Sequence, residues 1–223
     1  MKYNNRLIQI SCDGGAATGK STGAKMIAKK YKLQFLSSGL LYRYAGFLIL
    51  KYKPKNKTIF LKNRFKKLNY SRLKKINLHT PEISEFSSLI AKNNEIRKIL
   101  KEFQIKFSKK HKKCCIEGRD ISTKILPKSN VKFYFKCNLN IAAKRRFLEL
   151  RQSNHKIKLK DVKKALRLRN ILDTNRKHSP LLKHRNSVEI DTGKLDKFAM
   201  LAKMSKYVQK FLKNKYGNWR IKE

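Results

Sequence analysis

Acidic residues are scarce in this chain of 223 residues: aspartate and glutamate total 14 against 57 lysines and arginines, a formal charge of +43. Glycine (9) and proline (4) are too few for a collagen-like or low-complexity chain. No apolar run approaches the roughly 18 residues of a membrane-spanning helix. Cysteine is limited to Cys12, Cys114, Cys115 and Cys137, with no C-x-x-C spacing, so zinc and redox frameworks are not indicated. Each cysteine sits in or beside an apolar run, where it behaves as a small buried hydrophobe. Met1 to Asn5 are polar and lack the apolar stretch of a secretory signal, so a cytoplasmic, reducing setting is expected.

What is abundant is lysine, with isoleucine and asparagine beside it. A basic chain attracts phosphate polymers. The lysines here, however, are spread along the whole sequence, as A/T-rich codon usage would produce, and no dedicated nucleic-acid partner is expected. Anionic small ligands are drawn in either way, with a salt-screened reach. At 40 % hydrophobic residues the chain has material for one compact domain with insertions, or two small ones.

Short apolar runs alternate with helical patterns. Leu7–Cys12, Leu33–Leu36, Cys114–Glu117, Val131–Phe135 and Ser187–Ile190 read as strands. Residues 20–31, 39–52, 139–152 and 159–172 read as helices, as does a C-terminal stretch with Leu195, Phe198, Leu201 and Ala202 on one face. Pro81 opens a long helical pattern running to Phe103, and the lysine-rich residues 53–79 read as a weakly structured insertion. Such alternation predicts an α/β fold, with a parallel sheet covered on both faces. The basic tail beyond Phe211, with Trp219, reads either as a frayed end or as a segment that docks by that ring.

The strongest motif is Gly14-Gly15-Ala16-Ala17-Thr18-Gly19-Lys20-Ser21, which meets every fixed position of G-x-x-x-x-G-K-[ST] between a strand and a helix. Glycines let the backbone wrap a phosphate chain with its N–H groups turned inward, and a helix N-terminus adds positive potential. Lys20 suits β- and γ-phosphate oxygens, and the Ser21 hydroxyl suits Mg²⁺. Asp13, just before the loop, reads equally as a neighbour of metal-bound water or as a turn cap. Length and the lack of an N-K-x-D signature favour a small kinase over a GTPase.

Three further segments bring arginines, which grip phosphate through paired hydrogen bonds. They are Ser37-Ser38-Gly39-Leu40-Leu41-Tyr42-Arg43, Glu117-Gly118-Arg119-Asp120-Ile121-Ser122-Thr123, and Arg169-Asn170-Ile171-Leu172-Asp173-Thr174-Asn175-Arg176 with Pro180-Leu181 beyond it. With the phosphate loop, in this order and spacing, the chain resembles the bacterial-type cytidylate kinases among the nucleoside monophosphate kinases, from about residue 6 to about residue 208. That family reads D-G-P-x-G-x-G-K-[GS]-T, [DS]-[ST]-G-x-x-Y-R, E/D-G-R-D-x-G-T and R-D-x-x-D-x-x-R followed by P-L.

The resemblance implies a P-loop NTPase fold with a five-stranded parallel sheet. Residues 1–52 would form core with the loop, 53–100 an acceptor-binding insertion, 101–158 core, 159–182 a helical lid, and 183–223 core and C-terminal helix. It implies ATP with Mg²⁺ as donor, CMP and dCMP as acceptors, and a monomer. Gly14 through Thr22 would hold ATP, with Ser21 as the metal ligand. Ser38, Arg43, Ser88, Arg97, Arg119, Asp120, Arg169 and Asp173 would bind the acceptor. Lys20, Arg119, Arg146, Arg169 and Arg176 would serve the transfer, Arg146 being preferred to Arg145 on the helix before the lid. Departures are Gly15 for proline, Ala17 for glycine, Ser122 for glycine, and Asn170 and Leu172 for charged lid residues. The residues alone leave open another acceptor (UMP, AMP or shikimate), or a basic nucleic-acid-binding protein with a vestigial loop.

Overall fold

The computed structural model describes residues 7–152 and 155–217; Trp219 lies outside the described residues. Two compact units emerge, one from residues 1–36 and 111–223, the other from Ser37–Lys110. The second is wider than the expected insertion of residues 53–100.

The first unit contains the sheet. Strands β1 (Ile8–Gly14), β2 (Gln34–Ser37, its last residue opening the second unit), β3 (Lys113–Gly118), β4 (Val131–Lys136) and β5 (Val188–Asp191) lie in the order β2-β3-β1-β4-β5. Parallel pairing sets Cys12 beside Glu117 and Asp13 beside Gly118 on one flank of β1, and Gly14 beside Phe135 on the other. β1 is thus central, with neighbours that follow it in sequence on either side, and its carboxyl end opens at the point where an α/β sheet binds ligands. Ile10, Cys12, Cys115, Phe133, Phe135 and Ile190 form the sheet's core with Ala24 and Ile27 of α1 (Lys20–Lys30).

Helix α8 (Lys197–Tyr216) completes that core. Of the expected face, Leu195 and Leu201 pack half-buried against that core, and Ala202 is exposed. Met200, Met204, Val208 and Leu212 are buried, whereas Phe198 is 83 % exposed. The four-residue stripe from Met200 to Leu212 persists over three turns and outweighs the shorter 195–202 pattern. Helices α6 (Leu139–Arg151) and α7 (Leu159–Asn175) pack through Ala142, Ala143, Val162 and Leu166, with Ala16 of the phosphate loop in the same cluster.

The second unit is helical. It contains α2 (Ser38–Tyr52), α3 (Lys57–Lys66), α4 (Pro81–Ile90) and α5 (Asn94–Lys110). The expectation of weak structure over residues 53–79 is overturned. Asn56 caps α3 through the Ile59 N–H, a 3₁₀ turn spans Tyr70–Lys75, and Leu61, Phe65, Leu73 and Leu78 are buried. The apolar positions were diluted by lysines, whose charged ends stay in water. The long pattern from Pro81 also splits in two. The Asn93 side chain accepts from the Ile96 N–H at 3.0 Å, a cap that starts a new helix.

The four thiols are free, and those of Cys12, Cys114 and Cys115 are buried as expected. Burial pushes the Cys114 thiol up to about 12 and raises Cys12 as well, so neither carries thiolate reactivity. Among the described residues no His/Cys/Asp/Glu cluster could hold a metal and no helix is long and apolar enough to cross a membrane.

Candidate active site

The phosphate loop joins β1 to α1 as the sequence predicts. Gly19 takes φ 72° and Ala17 φ 56°, both left-handed. For alanine that conformation costs about 1–2 kcal/mol, so the replacement of glycine at position 17 is strained. The loop is fastened from two sides. The Thr192 hydroxyl, just past β5, donates to the Thr18 carbonyl at 2.9 Å, and Asn170 of α7 accepts from the Ala16 N–H at 3.0 Å. Lys20 opens α1 and is buried, while Ser21 and Thr22 beside it are exposed.

Lys20 pairs with buried Glu117, at the end of β3. Burial pulls the ammonium below its ordinary value, against the opposing field of Glu117. A buried lysine ammonium is therefore held in place by a carboxylate. Glu117 opens the Glu117–Thr123 segment, and the spacing there assigns it no role; its place beside Cys12 in the strand order brings it to the loop.

Asp13 is a turn cap. One carboxylate oxygen accepts from the Ile121 N–H at 2.7 Å; the other accepts from the Ser122 N–H at 2.7 Å and the Ser122 hydroxyl at 2.5 Å. Burial raises its carboxyl above the ordinary value, against the pull of these bonds. These three bonds hold the carboxylate inside the protein. The contact ties the start of the loop to the tight turn Ile121–Ile125 that follows Arg119 and Asp120. Ser122, a departure from the family's glycine, adds a donor to that clamp.

Arg119, after β3, donates through Nε to Asp173 Oδ2 of α7 at 2.7 Å, and Arg176 Nη1 lies 3.4 Å from Asp173 Oδ1. Burial alone would raise Asp173, but Arg119, Arg169 and Arg176 outweigh it and hold the carboxyl below its ordinary range. Burial likewise disfavours the charged Arg119, and Asp173 more than compensates, raising it. Arg119, Asp173, Arg169 and Arg176 are thus one electrostatic cluster. After α7 the chain turns back, with Arg176 Nε donating to the Ser179 carbonyl and the Leu181 N–H to the Asp173 carbonyl.

The two arginines of α6 part company. Arg145 donates to the Thr192 hydroxyl at 3.1 Å and carbonyl at 2.8 Å, which places it behind the loop's own anchor. Arg146, the preferred candidate, pairs with exposed Glu149. Asp120 is buried beside Asp13.

The remaining acceptor candidates belong to the second unit. Ser38 is buried at the start of α2, and Arg43 Nε lies 3.5 Å from the Ser84 hydroxyl. Ser88 is on α4 and donates to the Ser84 carbonyl; Arg97 is on α5, so the two sit on consecutive helices rather than on one. Arg97 is buried, donates to the Ala91 carbonyl at 3.2 Å and lies over the Tyr42 ring. The structure brings Ser88, Arg97, Arg43 and Tyr42 into one helical layer of that unit.

The arrangement can bind a polyphosphate on one loop and neutralise developing charge with a lysine and a held set of arginines. A family model described as cytidylate kinase matches residues 10–210. The cytidylate kinase of Fervidobacterium nodosum is 32 % identical over 197 residues, 84 % of this chain and 90 % of its own. That of Bartonella tribocorum is 34 % identical over 209 residues, covering 92 % and 95 %. Among solved structures, an uncharacterized protein from Eubacterium ventriosum covers 91 % of this chain and 98 % of its own with a TM-score of 0.54 at 16 % identity, a likeness of fold alone. The family model spans the loop, the Arg119 turn and the helix of Asp173, and the relatives exceed 30 % identity over most of both chains, so the chain is a kinase and belongs to the cytidylate kinase family.

Proposed function

We propose that the protein transfers the γ-phosphoryl group of ATP to CMP, and to dCMP, giving the diphosphate. The observation that carries this is the pair of ionic contacts in the first unit. Lys20 rests on Glu117 at the foot of the phosphate loop, and Arg119 rests on Asp173, with Arg176 closing on the same carboxylate. Phosphoryl transfer needs in-line positioning and charge neutralisation more than acid–base chemistry.

On this reading Gly14 through Thr22 cradle the donor. Lys20 exchanges Glu117 for β- and γ-phosphate oxygens. Arg119, Arg169 and Arg176 neutralise the transferring group and the acceptor phosphate, with Arg146 on the donor side. Ser21 fits Mg²⁺: it is exposed next to Lys20, and one hydroxyl with phosphate and water oxygens suits an ion that keeps most of its waters. When bound, Mg²⁺ neutralises the β- and γ-phosphate charge. Asp120, Ser88 and Arg97 read the cytosine, whose amine needs an acceptor and whose ring nitrogen and carbonyl need donors. Ser38, Arg43 and Asp173 complete the acceptor set. The same reading makes the protein a cytoplasmic monomer without a nucleic-acid partner.

The test is ADP release with ATP and Mg²⁺ against CMP, dCMP, UMP and AMP in parallel. Turnover with CMP and dCMP alone is expected, and Lys20→Ala should lower kcat by about 10³. Equal turnover with UMP or AMP would remove the base assignment; silence with all four would remove the reading.

A further inference from the structure

Asn170 stands where the family pattern has an acidic lid residue, and Gly15 where it has a proline. The structure joins the two departures. The Asn170 Oδ1 accepts from the Ala16 N–H at 3.0 Å, across a sequence separation of 154 residues. The same oxygen lies 3.1 Å from where a Cβ on residue 15 would sit, so the approach depends on the glycine. A Cβ there would be tighter than ordinary packing, and the Asn170 amide would have to give by a few tenths of an ångström. The contact falls one residue before Ala17, the strained left-handed position, and Arg169 precedes Asn170 on α7, with Asp173 one turn on.

We infer that Asn170 is a positioning residue that ties the helix carrying Arg169 and Asp173 to the phosphate loop carrying Lys20. On the other side of the loop, Thr192 holds the Thr18 carbonyl. Between the two anchors the loop keeps its shape despite Ala17. Through Asn170 the arginine cluster takes its register from the loop that presents the phosphoryl group. This rests on the kinase reading above and adds to it a residue that touches neither substrate nor metal.

Two readouts test it on the whole protein: the exchange rate of the Ala16 amide by NMR without nucleotide, and steady-state kinetics with ATP and CMP. Asn170→Ala and Asn170→Leu remove the acceptor, the second without loss of bulk. Asn170→Asp keeps it. The expected result is faster Ala16 exchange in the first two and protection in the third. With it, kcat should fall about fivefold in Ala and Leu, as for one hydrogen bond, with KM for ATP within twofold. In Asp, kcat should stay within twofold while KM for ATP rises from the added charge. Gly15→Ala should weaken the same protection from the other side. Unchanged Ala16 exchange in Asn170→Ala would overturn the tie, and an equal loss of kcat in Asn170→Asp would overturn its role in the reaction. Wild-type protein that is silent on CMP would instead overturn the acceptor reading, leaving the exchange result to decide the tie.

Discussion

The two compact units treat charge in opposite ways. In the unit of residues 1–36 and 111–223, Asp13, Lys20, Glu117 and Asp120 are buried, and Arg119 and Asp173 nearly so; Lys20 faces Glu117, Arg119 faces Asp173, and Asp13 faces hydrogen-bond donors. In the unit of residues 37–110, Arg97 is the buried charge among the described residues, and the sequence has no acidic residue between Asp13 and Glu82. Its lysines, where their exposure is described, lie at the surface, and an ion pair there such as Lys98–Glu95 is worth little. A chain with so few carboxylates sets Glu117 and Asp173 beside cations that are taken out of water. Elsewhere water does that work.

The sharpest way to break this contrast is to remove a buried carboxylate. Glu117→Ala leaves Lys20 buried and unpaired, which should destabilise the nucleotide-free protein by about 3 kcal/mol. Saturating ATP should restore part of the loss, because phosphate then faces Lys20. Urea unfolding with and without ATP measures both. A loss below about 1 kcal/mol would show that the pair does not hold the lysine.

Asp173→Asn should cost about 2 kcal/mol at pH 7, the worth of a charge-assisted bond to a partly buried guanidinium. Its carboxyl is held low in the folded state, so its stabilisation is full above the unfolded value near 4 and is lost as pH falls through the folded one. The gap between variant and wild type should therefore close below about pH 4. A constant gap across a urea series at several pH values would assign the effect to packing.

In the second unit the equivalent experiment should touch recognition. Arg97→Ala is expected to raise KM for CMP about tenfold, close to 1.4 kcal/mol, while the ATP dissociation constant stays within twofold. A CMP KM that does not move would remove the base assignment. The smallest effect is a gain. Ala17→Gly relieves a left-handed alanine and should stabilise by about 1 kcal/mol, a rise in melting temperature of about 2–4 °C. An unchanged or lower melting temperature would mean that the extra chain entropy of glycine cancels the relief.

Much of this molecule was legible in its residues. The strand before the phosphate loop, the loop and α1 follow from hydrophobic pattern and glycine spacing. That Ala17 stands for the family's glycine was legible too, but its left-handed backbone is seen only in the structure. What the residues did not carry has identifiable causes. Lysines diluted the pattern of α3, so a folded helix read as loose chain. The helix break at Asn93 was hidden because apolar spacing continues across it and only the cap marks it. The outward turn of Phe198 arises because the Met200–Leu212 stripe sets the rotation of α8. Among the site residues, Arg145 and Arg146 are adjacent in sequence, and only packing against Thr192 separates them.

The sequence by itself determined the phosphate loop, the alternation that builds a parallel sheet, and the set of arginines, because these depend on local spacing and residue chemistry. The tertiary structure alone decided the partners. Glu117 holds Lys20 because β3 pairs with β1; Asp13 caps the turn after Arg119 because the two strand ends are neighbours; Asn170 meets Ala16 because α7 packs on α6 beside the loop. Each of these contacts joins residues far apart in the chain, and no local pattern encodes a meeting that only the folded sheet and helices create.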